Sequence, residues 1–392
     1  MPRDILMFST ADWDNPFWTN KQYMATLFAK RGYRVLYVDS LGLRRPQLCQ
    51  RDIKRIVARL VKGVPLLRQV LPNIWRVSPL ILPLHNSARA HTLNTHLLVC
   101  SIKYQLARLG MGRPLIWTYN PNITNLCTNL PHSGIVYHCV DALDAAPGID
   151  SVNITEGEKQ LGSVAHLCFT TSPVLYQRML PVFPRVEYEP NVCDLPFFET
   201  ARGTLRQPAD LSRIPQPRIL FVGALSHYKV DYSLMEALAV RNPSMHWVLI
   251  GSVGEGQPDS ISPPTLPNIH LLGPRTSGQL PYYMAHCQVA ALPAARNAYT
   301  DAMFPMKFFE FLAAGLQVVG TRLPALSEFE NLYFPSDDVE GFEANLHKVL
   351  AGELRDPMAI AAACRTHNWE ARFARMEAVV DEVFPNPETQ TH

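Results

Sequence analysis

The 392-residue chain is 47% hydrophobic and 18% charged, with a formal net charge of +2. That balance excludes intrinsic disorder, and so small a charge excludes nucleic acid as an inferred partner, leaving any basic signal to be local. The length suffices for two domains with separate cores.

Met1-Pro2-Arg3-Asp4 leads into a short apolar strand, Asp4 to Ser9. It is too short for a secretory signal, and no later run approaches the ~18 apolar residues of a membrane span. The expectation is a protein that is soluble or peripheral at a membrane. Thr10 to Asn20 reads as a polar and aromatic loop, Lys21 to Arg31 as a helix stopped by Gly32, and Tyr33 to Asp39 as a second strand. Strand, helix, glycine, strand opens a parallel α/β sheet, whose ligands collect beyond the carboxyl ends of the strands. Asp12 and Trp13 in the first loop are therefore candidates for an acceptor site, since aromatic faces stack on sugars and carboxylates bond hydroxyls.

Arg44 to Arg68 carries eight basic residues against one acid, Asp52, with Ile53, Ile56, Val57, Leu60 and Val61 at helical spacing. A basic amphipathic segment suits an anionic membrane surface. The alternative is a solvated helix packing that stripe on its own domain. Further strands are expected at Leu115–Tyr119, Ile135–Val140, Leu167–Thr171 and Val186–Glu189, with helices at His91–Leu109 and Thr155–Leu161 between them. The strand Ile135–Val140 ends on Asp141, a carboxylate placed to act as a general base. Asp141 could equally cap the following segment, and Asp144 could take either part. His138 reads as a core histidine. The eight cysteines are scattered without a Cys-x-x-Cys pair, which fits a reducing cytosol and argues against a zinc site.

Between Asp194 and Pro217 four prolines punctuate a polar stretch, the best domain boundary. A second series follows, with strands at Arg218–Val222, Met245–Ile250, Ile269–Leu272, Val289–Leu292 and Leu316–Gly320. Its helices fall near Asp231–Val240, Gly278–Ala285, Met306–Ala314, Val339–Ala351, Pro357–Cys364 and Trp369–Val383. The expected architecture is α/β: two Rossmann-like domains facing a cleft, residues 1–195 and 196–368, with a C-terminal helix (369–392) returning to the first.

Gly223 in the first turn of the second series allows close backbone approach, and Ser226 and Lys229 could bind phosphate oxygens. Asp231 reads as a helix cap. Gly273 makes another tight turn at a strand end, and Asn297 lies in a polar loop after the strand ending at Pro293. In Phe304 to Thr321, Pro305 suits a first helical position and Gly315 a left-handed stop. Lys307 and Glu310, three apart, share a face, a cation for a phosphate and an acceptor for ribose hydroxyls, or simply a surface ion pair.

Taken together, these stretches resemble the GT-B glycosyltransferases. Pro305-Met306-Lys307-Phe308-Phe309-Glu310-Phe311-Leu312-Ala313-Ala314-Gly315 is similar to that family's P-x-K-x-x-E-Y-L-A-x-G segment. The resemblance implies a donor diphosphate at Lys307 and a donor ribose at Glu310, with Gly223 as the glycine of the first C-domain turn. Asn191-Val192-Cys193-Asp194 resembles the interdomain N-G-V-D signature with its glycine lost. Phe8 to Trp13 and Tyr137 to Asp141 resemble N-domain stretches of exopolysaccharide and teichuronic-acid type transferases, which implies Asp141 as the base. The common retaining branch carries E-x7-E, whereas Ala302 stands eight before Glu310, leaving an inverting outcome open.

The expected activity is transfer of a sugar from a UDP- or GDP-sugar to a hydroxyl of a lipid-linked or growing glycan in cell-surface polysaccharide synthesis. No cofactor is expected, and with no metal-ligating cluster in the sequence, cationic side chains would neutralise the leaving diphosphate. The expected location is cytoplasmic, peripheral on the inner face of the plasma membrane. A nucleotide-sugar 2-epimerase and a catalytically silent scaffold are the competing readings.

Overall fold

The computed structural model describes residues 3–15, 18–41, 67–79, 88–254 and 261–385. The basic segment Arg44–Arg68 lies outside the described residues except at its end, where Arg68 opens an edge strand. The chain divides into two compact units, Met1–Thr170 with Leu175–Glu189 and Arg375–His392, and Thr171–Val174 with Pro190–Ala374.

The first unit is built on an eight-stranded sheet: β1 (Asp4–Phe8), β2 (Arg34–Val38), β3 (Arg68–Leu71), β4 (Ile74–Val77), β5 (Leu115–Thr118), β6 (Gly134–Cys139), β7 (Leu167–Thr170) and β8 (Val186–Tyr188). The order is β3-β4-β2-β1-β5-β6-β7-β8, parallel throughout except for the β3–β4 hairpin. Asn73 turns that hairpin in the left-handed region, at φ 62°. Central strands such as β5 (LIWT) and β6 (GIVYHC) are buried along their whole length. Continuous burial is what a parallel sheet covered on both faces requires.

The second unit holds six parallel strands: β9 (Arg218–Val222), β10 (His246–Ile250), β11 (Ile269–Leu271), β12 (Val289–Leu292), β13 (Val318–Thr321) and β14 (Phe334–Ser336). Their order is β11-β10-β9-β12-β13-β14. Two apolar clusters cover the sheet's faces. One gathers Phe304, Phe308, Phe311 and Leu312 against Leu220, Val248 and Val318. The other packs Met235, Leu238, Phe342 and Leu346 against Ile219, Trp247 and Val319. In both sheets the winding reverses beside the first strand, between β1 and β5 and between β9 and β12. Each reversal is a switch point, where adjacent connections leave in opposite directions and open a crevice at the strand ends.

The helix Trp369–Val383 belongs to the second unit through Ala374 and to the first from Arg375 onward. Within the first unit its later turns are fastened by charge. Arg375 donates to Glu189 at 2.7 Å, Glu382 accepts two bonds from Arg185 at 2.7 and 2.8 Å, and Glu377 accepts from Tyr33 Oη at 3.0 Å. The short helix before β13 spans Lys307–Ala313. Pro305 is therefore not its first residue, as the sequence suggested. The proline instead accepts the Phe308 N–H at 3.1 Å in the turn that leads in.

Candidate functional site

The carboxyl end of the second sheet is assembled from glycines that touch. Gly223 N–H donates to Ile250 O at 3.0 Å, and Gly251 N–H donates to Gly273 O at 3.2 Å. A Cβ on Gly251 would lie 1.8 Å from Gly223 O, so only glycine fits there. Gly223 and Gly273 are thus joined through Gly251, which the sequence reading missed. Its signal was present: a glycine one residue past a strand end, in a unit whose neighbouring strands also end on glycine.

The turn after Gly223 is strapped on both sides. Leu225 N–H donates to Ser252 O at 2.9 Å, Ala295 N–H to Lys229 O at 3.0 Å, and Asp231 N–H to Pro293 O at 2.9 Å. These bonds hold it at the switch point between β9 and β12. Inside it, the Ser226 hydroxyl is 1% exposed and has no hydrogen-bond partner among the described residues. A buried polar atom without a partner costs on the order of 1–3 kcal/mol, a deficit that a bound acceptor or donor would remove. The Lys229 ammonium lies over the rings of Tyr228 and Tyr299, 5.4 and 5.5 Å from their centroids. Asp231 caps the helix Tyr232–Arg241, accepting the Leu234 N–H at 2.9 Å.

Asn297 is committed to the backbone. Its Oδ1 accepts the N–H groups of Tyr299 and Thr300 at 3.0 and 3.1 Å, and its Nδ2 donates to Tyr228 O at 2.7 Å. It therefore fixes the β12 loop to the β9 turn and presents little of its own amide to a ligand.

Lys307 Nζ donates to Glu310 Oε2 at 2.6 Å. The Glu310 side chain is 9% exposed against 26% for Lys307, so the pair sits at the edge of the interior. Burial pushes the Glu310 carboxyl above the usual carboxylate range, and Lys307 offsets part of that rise. The helix ends as its sequence implies: Gly315 at φ +89°, with Leu316 N–H donating to Phe311 O and Gly315 N–H to Leu312 O. Arg202 adds bonds to Ala313 O at 2.7 Å and Leu312 O at 3.0 Å, a support no local sequence pattern announced. Asn191 Nδ2 donates to Phe304 O at 2.8 Å, which ties the Asn191–Asp194 stretch to the turn before Lys307. Ala302 is buried, and its carbonyl accepts the Ser172 hydroxyl at 2.7 Å.

In the first unit, Asp141 lies two residues past the end of β6, after Val140, half-buried, its carbonyl accepting the Leu143 N–H at 3.0 Å. Asp144 is held by Arg178 at 2.6 Å, and Arg178 also reaches Glu158 at 3.2 Å. Asp144 thereby belongs to a structural cluster with Arg178 and Glu158. His138 is fully buried among Trp117, Tyr119 and Phe169, a core residue.

Trp13 differs from its expected part. It is 8% exposed and packs against Tyr37 and Trp18 at centroid distances of 5.1 and 5.6 Å, so its faces are spent on packing rather than open to a sugar. Its N–H donates to Asp39 Oδ1 at 2.8 Å. Asp39 is buried at the end of β2, also bonded by Ser78 and by Arg76 at 2.7 Å. Burial raises its pKa, and those bonds oppose the rise. Asp12, half-buried in the same loop, accepts the Asn15 N–H through its carbonyl at 3.1 Å.

Among the described residues no group of three or more His, Cys, Asp or Glu is placed to hold a metal ion, and no helix is long and apolar enough to cross a membrane.

Residues 216–352 match the family of glycosyl transferases group 1. Over 169 residues the chain is 31% identical to a protein of Bacillus subtilis (strain 168) described as teichuronic acid biosynthesis glycosyltransferase TuaH, which covers 40% of this chain and 41% of that protein. The match thus spans about two-fifths of that relative's length. Among solved structures, sucrose-phosphate synthase from Thermosynechococcus elongatus is similar at TM-score 0.68 and 16% identity, covering 97% of this chain and 99% of that one. Anabaena Alr3699/HepE in complex with UDP and glucose follows at TM-score 0.65 and 15% identity, with 97% and 99% covered. An E. coli trehalose-6-phosphate protein bound with UDP-2-fluoro glucose has TM-score 0.66 and 11% identity, with 98% and 99% covered. The fold is GT-B, two Rossmann-like α/β units, and the stretch that matches the group 1 glycosyl transferases lies within the second.

Proposed function

We propose that this GT-B chain transfers a sugar from a nucleoside diphosphate sugar to a hydroxyl of a lipid-linked or growing glycan in cell-surface polysaccharide synthesis. The observation that carries the reading is the Lys307–Glu310 pair, held at 2.6 Å inside the group 1 domain. A lysine whose present partner is a nearby carboxylate can be redirected to a diphosphate, leaving the carboxylate to accept ribose hydroxyls. Ser226 and Lys229, on the strapped turn after β9, add a hydroxyl and a second cation for the same ligand.

Charge separation is the central demand of the chemistry. As the bond from the anomeric carbon to the diphosphate breaks, negative charge grows on the leaving oxygen, and preorganised cations lower that barrier. Lys307 and Lys229 fill this part without a metal. Asp141 takes the proton of the acceptor hydroxyl as its oxygen attacks the anomeric carbon. Asp144 is the weaker candidate for the base because Arg178 already neutralises it. Uracil is the favoured base of the donor, since two of the similar structures hold UDP or a UDP-sugar. The polysaccharide setting is supported by the B. subtilis relative.

The test is a thermal-shift screen across UDP-, GDP-, ADP- and dTDP-sugars, followed by turnover with the stabilising donor. Lys307→Ala should lower turnover by about 10²–10³-fold, as expected for a group that meets leaving-group charge. Unchanged turnover in a folded Lys307→Ala protein defeats the reading. Conversion of the sugar with donor alone would identify an epimerase instead.

A further inference from the structure

From Leu93 to Leu106 the helix Ala88–Leu109 carries two apolar stripes, of which one is buried and one is exposed. Leu98, Val99, Ile102 and Leu106 are buried. Leu93, Leu97, Cys100 and Tyr104 are exposed, the Leu and Tyr residues by 50%, 49% and 64%. Their spacing of four, three and four residues, at about 100° per residue, gathers them within roughly 60° of arc opposite the buried face. His96, Lys103 and Arg108, all exposed, flank this stripe. Among the described residues neither Lys103 nor Arg108 has an ion-pair partner.

The sequence around the helix is equally one-sided. Between Asp52 and Asp141 there is no Asp or Glu, against ten Lys and Arg in the same interval. In a chain with a net charge of only +2, that is a pronounced basic excess along the sequence. The residues just before the helix, 80–84, read Leu-Ile-Leu-Pro-Leu.

We propose that the stripe Leu93–Leu97–Cys100–Tyr104 docks this protein on an anionic lipid surface, with Lys103 and Arg108 meeting the headgroups. The chemistry selects the occupant. A second copy of the chain would bring the same basic margins together, a repulsion nothing on this helix compensates. A free polyanion would use the bases and leave the apolar stripe in water. An anionic bilayer satisfies both, burying leucine and tyrosine at the headgroup boundary while attracting the flanking cations. This contact lies on a described helix of the first unit and is separate from the Arg44–Arg68 segment. It does not depend on the identity of the donor.

The experiment uses the full chain and vesicles of phosphatidylcholine with or without a quarter phosphatidylglycerol. The wild type should co-sediment with the anionic vesicles and release partly at high salt. Leu97→Asp with Tyr104→Asp should weaken binding by more than about tenfold, from the lost apolar burial. Lys103→Ala and Arg108→Ala should each cost about fivefold, the increment of one basic residue at an anionic surface. Unchanged melting and unchanged binding of UDP would show that the variants are folded. A polarity-sensitive dye on Cys100, in a Cys49→Ser background, should shift to the blue on anionic vesicles. Absence of vesicle binding overturns the proposal. So does equal binding by the Asp variants, which would move the contact to another segment, or a dimer that the Asp variants split. None of these outcomes touches the donor assays, so failure here is distinguishable from failure of the transferase reading.

Discussion

The two switch points share a strand order and differ in how their polar groups are used. At the β9–β12 reversal the turn holds a buried Ser226 hydroxyl with no partner among the described residues and a lysine that rests on two aromatic faces. In the first unit, the loop after β1 is closed by its own neighbours. Asp39 accepts from Trp13 N–H, Arg76 and Ser78, and Trp13 is packed between two rings. The β9 turn leaves a buried hydroxyl unsatisfied among the described residues, whereas Asp39 and Trp13 beside β1 are committed to the fold. A shared strand order at the reversal therefore does not imply a shared function: the side chains at the crevice decide.

The contrast can be sharpened by substitution, beginning with the largest effect. If Asp141 is the base, Asp141→Asn should lower turnover with donor and acceptor by about 10²–10⁴-fold. Asp144→Asn, which only releases Arg178, should leave turnover nearly intact. Equal losses in the two variants would show that the carboxylates act as one cluster.

Trp13→Ala probes the closed side. Because the ring is buried, its removal should cost about 3–5 kcal/mol of stability, read from denaturant midpoints. A variant that melts like the wild type but loses acceptor affinity would return Trp13 to the site.

A pH dependence probes the Lys307–Glu310 pair. The Glu310 pKa is raised in the folded protein, first by burial, so its contribution to stability is fully present below the usual carboxylate range and is lost as pH rises through the raised value. Lys307 opposes that loss by favouring the charged carboxylate. Removing it should therefore widen the stability gap between Lys307→Ala and wild type as pH rises from about 4 to 8. Denaturation across that interval checks it, and a Glu310→Gln background should abolish the trend. A gap independent of pH would mean that the lysine supports the helix by packing alone.

The smallest expected effect is Gly315→Ala. Forcing a side chain into φ +89° should cost about 1–2 kcal/mol in melting experiments, with donor binding retained.

Most strands were legible because parallel sheets buried on both faces demand unbroken apolar runs, and β1, β2, β5, β6, β9, β10 and β12 have them. The β3–β4 hairpin was not, since Gln69 and Arg76 interrupt its pattern and its turn rests on an asparagine. Of the residues proposed to hold the donor, Lys307 and Glu310 were readable from helical spacing, which guarantees neighbours three apart. Gly251 stands visibly past a strand end, but its necessity comes from the carbonyl of Gly223 on a different strand's turn. Arg202 and Asn191 were likewise invisible as supports, since each acts on a helix or turn more than a hundred residues away.

By itself the sequence determined what short-range physics controls: the alternation of strands and helices, the Gly315 stop, the Asp231 cap and the placing of Lys307 beside Glu310. Only the tertiary structure decided which of several similar groups was already satisfied. It assigned Asp144 to Arg178, Trp13 to the core and Asn297 to backbone amides, while leaving the Ser226 hydroxyl without a partner among the described residues. The reason is physical. A side chain's chemistry depends on what desolvates it and what pairs with it, and those neighbours come from strands far apart in the chain.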